Sequence, residues 1–98
     1  MKKLKILAFA GSLRADSVNK KLVNWASGEL KAMGHEVTFI DLNDYPLPIY
    51  NPDLPSSEFP KNAITLEKMM QEHQAWLIAS PEYNYSITSC LKNVIDFA

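Results

Sequence analysis

The residues best suited to binding chemistry lie in two short polar loops, the first of which covers residues 11–17. This loop follows an apolar run and contains Ser12, Arg14 and Ser17. A helix that starts after it would present unpaired backbone N–H groups and the positive end of its dipole. Hydroxyl groups and a guanidinium beside such a helix start suit a phosphate group. The same residue types also serve as ordinary caps, with Ser17 as the N-cap and Arg14 on the surface.

The first loop matches neither of two common nucleotide-binding motifs. No Gly-Lys-Ser/Thr sequence follows Gly11, which excludes a Walker loop. Gly11 is also the only glycine in the loop, which excludes the glycine-rich fingerprint of dinucleotide-binding folds. A phosphate loop of another type and a simple helix cap both remain open at this point.

Hydrophobic periodicity predicts the elements that position the first loop. Residues 4–10 are almost all apolar, as in a strand covered on both faces, and a helix follows over Val18–Met33. The predicted buried face of this helix consists of Val18, Leu22, Trp25, Ala26, Leu30 and Met33. Gly34 is placed as a left-handed C-cap, and a second strand covers Val37–Leu42. A helix between two strands implies parallel pairing through a right-handed crossover.

Prolines dominate the middle of the chain. Five of the six prolines fall within residues 43–60, which predicts an extended, irregular loop. Its apolar side chains are too numerous for a free linker, so we expect an ordered arm on the surface, with a mobile loop as the alternative. A second helix is predicted over Lys61–Glu72, with Met69 and Met70 filling gaps in the core.

The third predicted strand, residues 75–80, leads into the second polar loop, residues 81–86. The last helix begins at Ile87 or Thr88. The order β-α-β-loop-α-β-α is half of an α/β, doubly wound parallel sheet. In strand order 2-1-3, the helices that follow strands one and three lie on opposite faces and open a crevice. Loops 11–17 and 81–86 would both open at that crevice, which strengthens the phosphate interpretation.

Both loops resemble motifs of one protein family. The run Gly-Ser-Leu-Arg at 11–14, followed by Ser17 and Asn19, resembles the phosphate loop of the NADPH-dependent FMN reductases. This flavodoxin-like group includes quinone and azo-dye reductases. The run Ser-Pro-Glu-Tyr-Asn at 80–84, followed by Ser86, resembles the second motif of the same family.

The resemblance implies FMN as cofactor, and hydride transfer from NADPH or NADH to a flavin, quinone or similar small-molecule acceptor. The residues that it places at the FMN phosphate are Ser12, Arg14, Ser17 and Asn19. The residues that it places beside the flavin ring are Pro81, Glu82, Tyr83, Asn84 and Ser86. Because the hydride chemistry belongs to the flavin, no acid–base catalytic residue is assigned.

Two features depart from the family pattern. Tyr85 stands where the family commonly has glycine, and Thr88-Ser89 stands where it commonly has Pro-Gly. A side chain at Tyr85 would crowd the flavin or nicotinamide site, or stack on the ring. The family also continues with two more strands and a helix, so residues 1–98 are predicted to be the N-terminal part of a flavodoxin-like FMN-binding domain. A fragment, a truncated gene product and a half-fold completed by another chain remain open.

Truncation is the favoured explanation, and it would weaken FMN binding by the chain alone. The leading functional hypothesis is an FMN-dependent NAD(P)H oxidoreductase. The alternatives are an FMN-binding electron-transfer module, which Tyr85 would favour by blocking the nicotinamide, and a non-catalytic fragment.

Charge and hydropathy exclude several partners. The net charge of −1 gives no electrostatic basis for binding nucleic acid or a membrane surface. No apolar run approaches transmembrane length. The first residues resemble a signal peptide, but Lys5 interrupts the short apolar core, and we interpret the segment as a buried strand.

The number and spacing of the cysteine and histidine residues bear on the cellular compartment and on metal binding. The single Cys90 excludes an internal disulfide and fits a reducing cytosol. His35 and His73 are far apart and lack nearby cysteines or paired carboxylates, so no metal site is predicted. The apolar third strand would have an unpaired edge, and such edges invite association. We therefore expect a cytoplasmic protein that forms a homo-oligomer.

Overall fold

The computed structural model describes residues 2–14, 17–53, 55, 58–81 and 87–97. The strands within these residues are β1 (Lys5–Ala10), β2 (Glu36–Phe39) and β3 (Ala75–Ala79). The α-helices are α1 (Val18–Ala32), α2 (Lys61–Glu72) and α3 (Ser89–Phe97). A short 3-10 helix, Leu42–Asp44, follows β2. None of the helices in these described ranges combines the length and the apolar character needed to cross a membrane.

The described strands form one parallel sheet in the order β2-β1-β3. Lys5 pairs with Glu36 on one side of β1, and Ile6 pairs with Ala75 on the other. This confirms the predicted order 2-1-3. The central position of β1 explains its almost continuous apolar run, since residues 6–10 are buried on both faces of the sheet.

Alternate side chains of β1 enter two different layers. Leu7 and Phe9 belong to a core cluster that includes Leu66 of α2 and Leu91 of α3. Ala8 and Ala10 instead pack with Val23 of α1. Helix α1 therefore covers one face of the sheet, while α2 and α3 cover the other, as a doubly wound topology requires.

The predicted buried face of α1 is wrong, although the predicted helix is present. Val23 and Ser27 are the buried residues of α1. Val18 and Trp25 are 75% and 66% exposed, and Leu22 and Met33 are also exposed. Periodicity identifies an apolar stripe but not the direction in which it points. The small Ala8 and Ala10 of β1 allow α1 to pack closely through Val23 and Ser27, which turns the larger side chains outward.

Buried Ser27 provides a stability test of this helix orientation. Its hydroxyl oxygen has no hydrogen-bond partner among the described residues. Ser27→Ala should raise the free energy of unfolding by about 1 kcal/mol, because it removes the desolvation cost of that hydroxyl and improves helix propensity. Urea denaturation measures the change. Asn24→Ala, an exposed change on the same helix, should give a smaller gain, and a loss of stability in Ser27→Ala would contradict the burial of this face.

The proline-rich segment is an ordered arm where the structure describes it, as predicted. Tyr45 and Leu47 pack against the core cluster of α2 and α3. The Asn93 side chain of α3 binds the arm twice: Oδ1 accepts from Tyr50 N at 2.8 Å, and Nδ2 donates to the Pro48 carbonyl at 2.8 Å. The arm therefore follows the surface beside α3.

Candidate functional site

The candidate site lies where β1 and β3 end side by side. The Gly11 amide donates to the Ala79 carbonyl at 2.7 Å, so the chain leaves both strands at the same edge of the sheet. A cleft of about 170 Å³ opens there, and its walls are formed by Ser12, Arg14, Ser17, Val18, Asn19 and Pro81. The structure thus brings together all four residues predicted at the phosphate and the first residue predicted beside the flavin.

The other residues predicted beside the flavin ring are Glu82, Tyr83, Asn84 and Ser86. They lie outside the described residues, as does Tyr85. Their position beside a flavin therefore remains a prediction from the sequence. Pro81, the last described residue before them, lines the cleft, so the segment starts at the predicted place.

The start of α1 forms one wall of the cleft. Ser17 is buried and is the N-cap: its Oγ accepts from Lys20 N at 3.4 Å, and its carbonyl accepts from Lys21 N at 3.3 Å. The first backbone N–H groups of a helix point outward along its axis, and Val18 and Asn19 both line the cleft. The first turn of α1, which the structure describes in full, contains no acidic residue. An anion in the cleft would therefore meet the positive end of the helix dipole without repulsion from that turn.

Ser12 and Arg14 of the first loop also line this cleft. Ser12 is buried, and its Oγ accepts from the Arg14 amide at 3.3 Å, which holds the loop in a tight turn. Arg14 is exposed and makes no salt bridge with any residue in the described part of the chain. A second opening of about 320 Å³ continues from these two residues to Thr88 and Cys90. The guanidinium is therefore available to a ligand, and a phosphate is the group that its fork of donors matches.

A polar network of Asn43, Asp41 and Lys20 contacts the first loop, and the sequence interpretation did not predict it. Asn43 Nδ2 donates to the Leu13 carbonyl at 2.8 Å, and Asn43 N donates to Asp41 Oδ1 at 2.9 Å. Lys20 Nζ forms an ion pair with Asp41 Oδ2 at 3.2 Å. The Asp-x-Asn spacing is a recognisable capping signal, but nothing in it indicates the contact with Leu13.

Asp41 makes the network sensitive to acid. The hydrogen bond from the Asn43 amide and the neighbouring Lys20 ammonium lower the pKa of Asp41 below its usual value of 3.8, against the opposing effect of burial. A lowered pKa in the folded state adds stability that is present above the unfolded pKa and is lost as the pH falls through the folded pKa.

The pH prediction compares the wild-type chain with Asp41→Asn. The wild type should be more stable by roughly 0.5 kcal/mol near neutral pH, since this ion pair is partly exposed. The difference should shrink as the pH falls below about 4, because the unfolded chain then binds a proton at this carboxyl group more readily than the folded chain does. Urea denaturation across this range measures it. A difference that stays constant with pH would show that the charge of Asp41 does not stabilise the fold.

Comparison with known proteins identifies the family. The family profile described as NADPH-dependent FMN reductase matches residues 4–98. The chain belongs to this family. An NAD(P)H:quinone oxidoreductase from Solanum tuberosum is 41% identical over 98 residues, which cover 97% of this chain and 50% of the relative. An NAD(P)H-dependent FMN reductase from Pseudomonas aeruginosa is 36% identical over 95 residues, with 97% and 50% covered.

Solved structures give the same fold. FerB, a flavoenzyme NAD(P)H:(acceptor) oxidoreductase from Paracoccus denitrificans, superposes with a TM-score of 0.80 and 33% identity over 97% of this chain and 50% of FerB. An azoreductase from Bacillus anthracis has a TM-score of 0.69 at 22% identity, covering 96% of this chain and 54% of the azoreductase, and supports the fold alone. The strand order and helix layers are therefore flavodoxin-like. This chain spans about half the length of the relatives that it matches.

Proposed function

We propose that this chain supplies the FMN phosphate site of an FMN-dependent NAD(P)H oxidoreductase. The observation that carries the proposal is the cleft at the ends of β1 and β3, which is lined both by Ser12 and Arg14 and by the first turn of α1. The FMN phosphate is a dianion, which matches the helix dipole and the guanidinium. When bound, FMN supplies the hydride-accepting and hydride-donating chemistry, while the protein binds and orients it.

The residues have separate proposed tasks. Ser12, Arg14, Ser17 and Asn19 hold the phosphate, with Arg14 supplying charge and Ser12 and Ser17 supplying hydroxyl groups. The residues proposed to run beside the flavin ring are Pro81, Glu82, Tyr83, Asn84 and Ser86. Two observations support this division: β1 and β3 end side by side, and Pro81 lines the same cleft as Ser12 and Arg14. A cofactor with an anionic tail and a flat ring needs contacts of both kinds.

The proposed electron donor is NADPH or NADH, and the proposed acceptor is a small molecule such as a quinone or a flavin. The activities of the relatives, among them NAD(P)H:quinone oxidoreductase and NAD(P)H-dependent FMN reductase, support both assignments. We further propose that residues 1–98 correspond to the N-terminal part of an FMN-binding domain. This agrees with a match to about half the length of each relative.

We also propose that the protein is cytoplasmic and forms a homo-oligomer. The single cysteine fits a reducing compartment. In the described sheet, β3 is at an edge and is composed of Ala-Trp-Leu-Ile-Ala, and apolar strand edges pair readily with other chains. The outward-facing stripe of α1 adds further exposed apolar area. Light scattering coupled to size-exclusion chromatography would detect the oligomer, and a monomer at all concentrations would contradict it.

The function is tested by ligand titration followed by reduction. Fluorescence titration of the chain with FMN and with riboflavin, which lacks the phosphate, should show tighter binding of FMN. Anaerobic NADPH should then bleach the bound flavin, and a quinone should restore its colour. Binding of FMN without reduction by NADPH or NADH would instead indicate an electron-transfer module. Absence of FMN binding would indicate a chain that is not functional on its own.

A further inference from the structure

One buried hydroxyl group connects the phosphate loop to the last helix. Thr88 is 2% exposed, and its Oγ1 donates to the Gly11 carbonyl at 2.7 Å. The same oxygen accepts from the Leu91 amide at 3.3 Å, so Thr88 also caps the start of α3. Gly11 directly follows β1 and Thr88 directly precedes α3, so this contact joins the first loop to the start of α3.

We infer that Thr88 is a positioning residue that fixes the phosphate loop relative to the start of α3. The inference rests on the proposed function, because it concerns the geometry of the same FMN site. Fixing these two segments sets the distance between the phosphate-binding loop and the start of α3. A cofactor that touches both segments needs that distance to be constant, since small misplacements at a binding site carry large costs.

The chemistry of the contact requires a hydroxyl group at this position. A hydroxyl donates one proton and still accepts through its lone pairs, so Thr88 can satisfy Gly11 and Leu91 together. Valine has the same shape, but its side chain can neither donate nor accept a hydrogen bond.

Close packing beside the hydrogen bond shows that the two segments are in direct contact. A Cβ added to Gly11 would lie 3.0 Å from Ser80 Oγ and 3.1 Å from Leu91 Cβ. The loop backbone therefore rests against α3 with no space for a side chain. Thr88 and Gly11 also line the same opening as Ser12 and Arg14. A shift of Thr88 would therefore move the wall beside the phosphate-binding residues.

The test compares Thr88→Val with Thr88→Ser. Removing the hydroxyl leaves the buried Gly11 carbonyl without its donor, so Thr88→Val should weaken FMN binding about tenfold and riboflavin binding much less. Amide hydrogen exchange of residues 11–14 in the cofactor-free protein should become faster by a similar factor. Thr88→Ser keeps the hydroxyl and should restore both values. Thr65→Val, the same change at an exposed threonine of α2, should behave like the wild type.

The outcomes separate this inference from the proposed function. The proposed role of Thr88 is overturned if Thr88→Val has the same FMN affinity and the same amide exchange rates as the wild type. It is also overturned if Thr88→Ser fails to restore the wild-type exchange rates and FMN affinity. If the wild type binds no FMN, the proposed function fails, while the exchange of residues 11–14 still decides whether Thr88 fixes the loop. If Thr88→Val does not fold, the exchange rate of the Thr88 hydroxyl proton, measured by NMR of the wild type, tests the inference instead. A protected Thr88 hydroxyl proton supports the inference, and a rapidly exchanging one overturns it.

Discussion

Arg14→Ala should weaken FMN binding by about 30-fold, which corresponds to the loss of a charge-assisted hydrogen bond to the phosphate. Riboflavin binding should stay nearly unchanged, because that ligand has no phosphate for Arg14 to contact. The physical reason is the position of Arg14: it is exposed, and it lines the cleft together with Val18 and Asn19 of the first turn of α1. Fluorescence titration with each ligand measures both effects.

The control for Arg14 removes an equal charge elsewhere. Lys31→Ala changes the net charge by the same amount, but Lys31 lies in the last turn of α1, at the opposite end of the helix from the cleft. It should leave FMN affinity within about twofold of the wild type, because exposed charges at that separation are largely screened. Equal losses for FMN and riboflavin in Arg14→Ala would show that Arg14 does not act through the phosphate.

Leu66→Ala should lower the free energy of unfolding by about 3 kcal/mol, a large share of the stability of so small a domain. Leu66 is 2% exposed and lies in the core cluster between α2 and the central strand. Truncation removes buried methyl groups and leaves a cavity that the closely packed neighbours fill only in part. Urea denaturation followed by circular dichroism gives the value.

A matched substitution on the same helix isolates the contribution of burial. Ile64 is 53% exposed, so Ile64→Ala removes similar atoms from the surface and should change stability by less than about 0.5 kcal/mol. Equal losses at both positions would contradict the packing of α2 described here.

Much of the fold could be predicted because the apolar sequence of β1 indicates that this strand lies at the centre of the sheet. A strand that is apolar at almost every position must be covered on both faces, and the helices between strands impose parallel pairing. The order 2-1-3 then places the loop after Ala10 and the segment after Ala79 at one edge. The cleft that contains Ser12 and Arg14 follows directly from this topology.

Other features depend on tertiary contacts that no local pattern encodes. The outward direction of Trp25 follows from the small size of Ala8 and Ala10, which lie on a different element. Strand β2 ends at Phe39 rather than Leu42 because Asp41 caps the 3-10 helix. The link from Thr88 to Gly11 joins residues 77 positions apart, and the Thr88 hydroxyl gives no sequence signal of its partner.

The central claim is that the cleft between β1, β3 and α1 receives the FMN phosphate, and amide NMR of the chain titrated with FMN tests it most directly. Resonances of residues 11–14 and 17–19 should shift with FMN, and riboflavin should shift them much less. Shifts confined elsewhere, for example to the apolar cavity of about 230 Å³ lined by Met70, Trp76 and Ile95, would contradict the account.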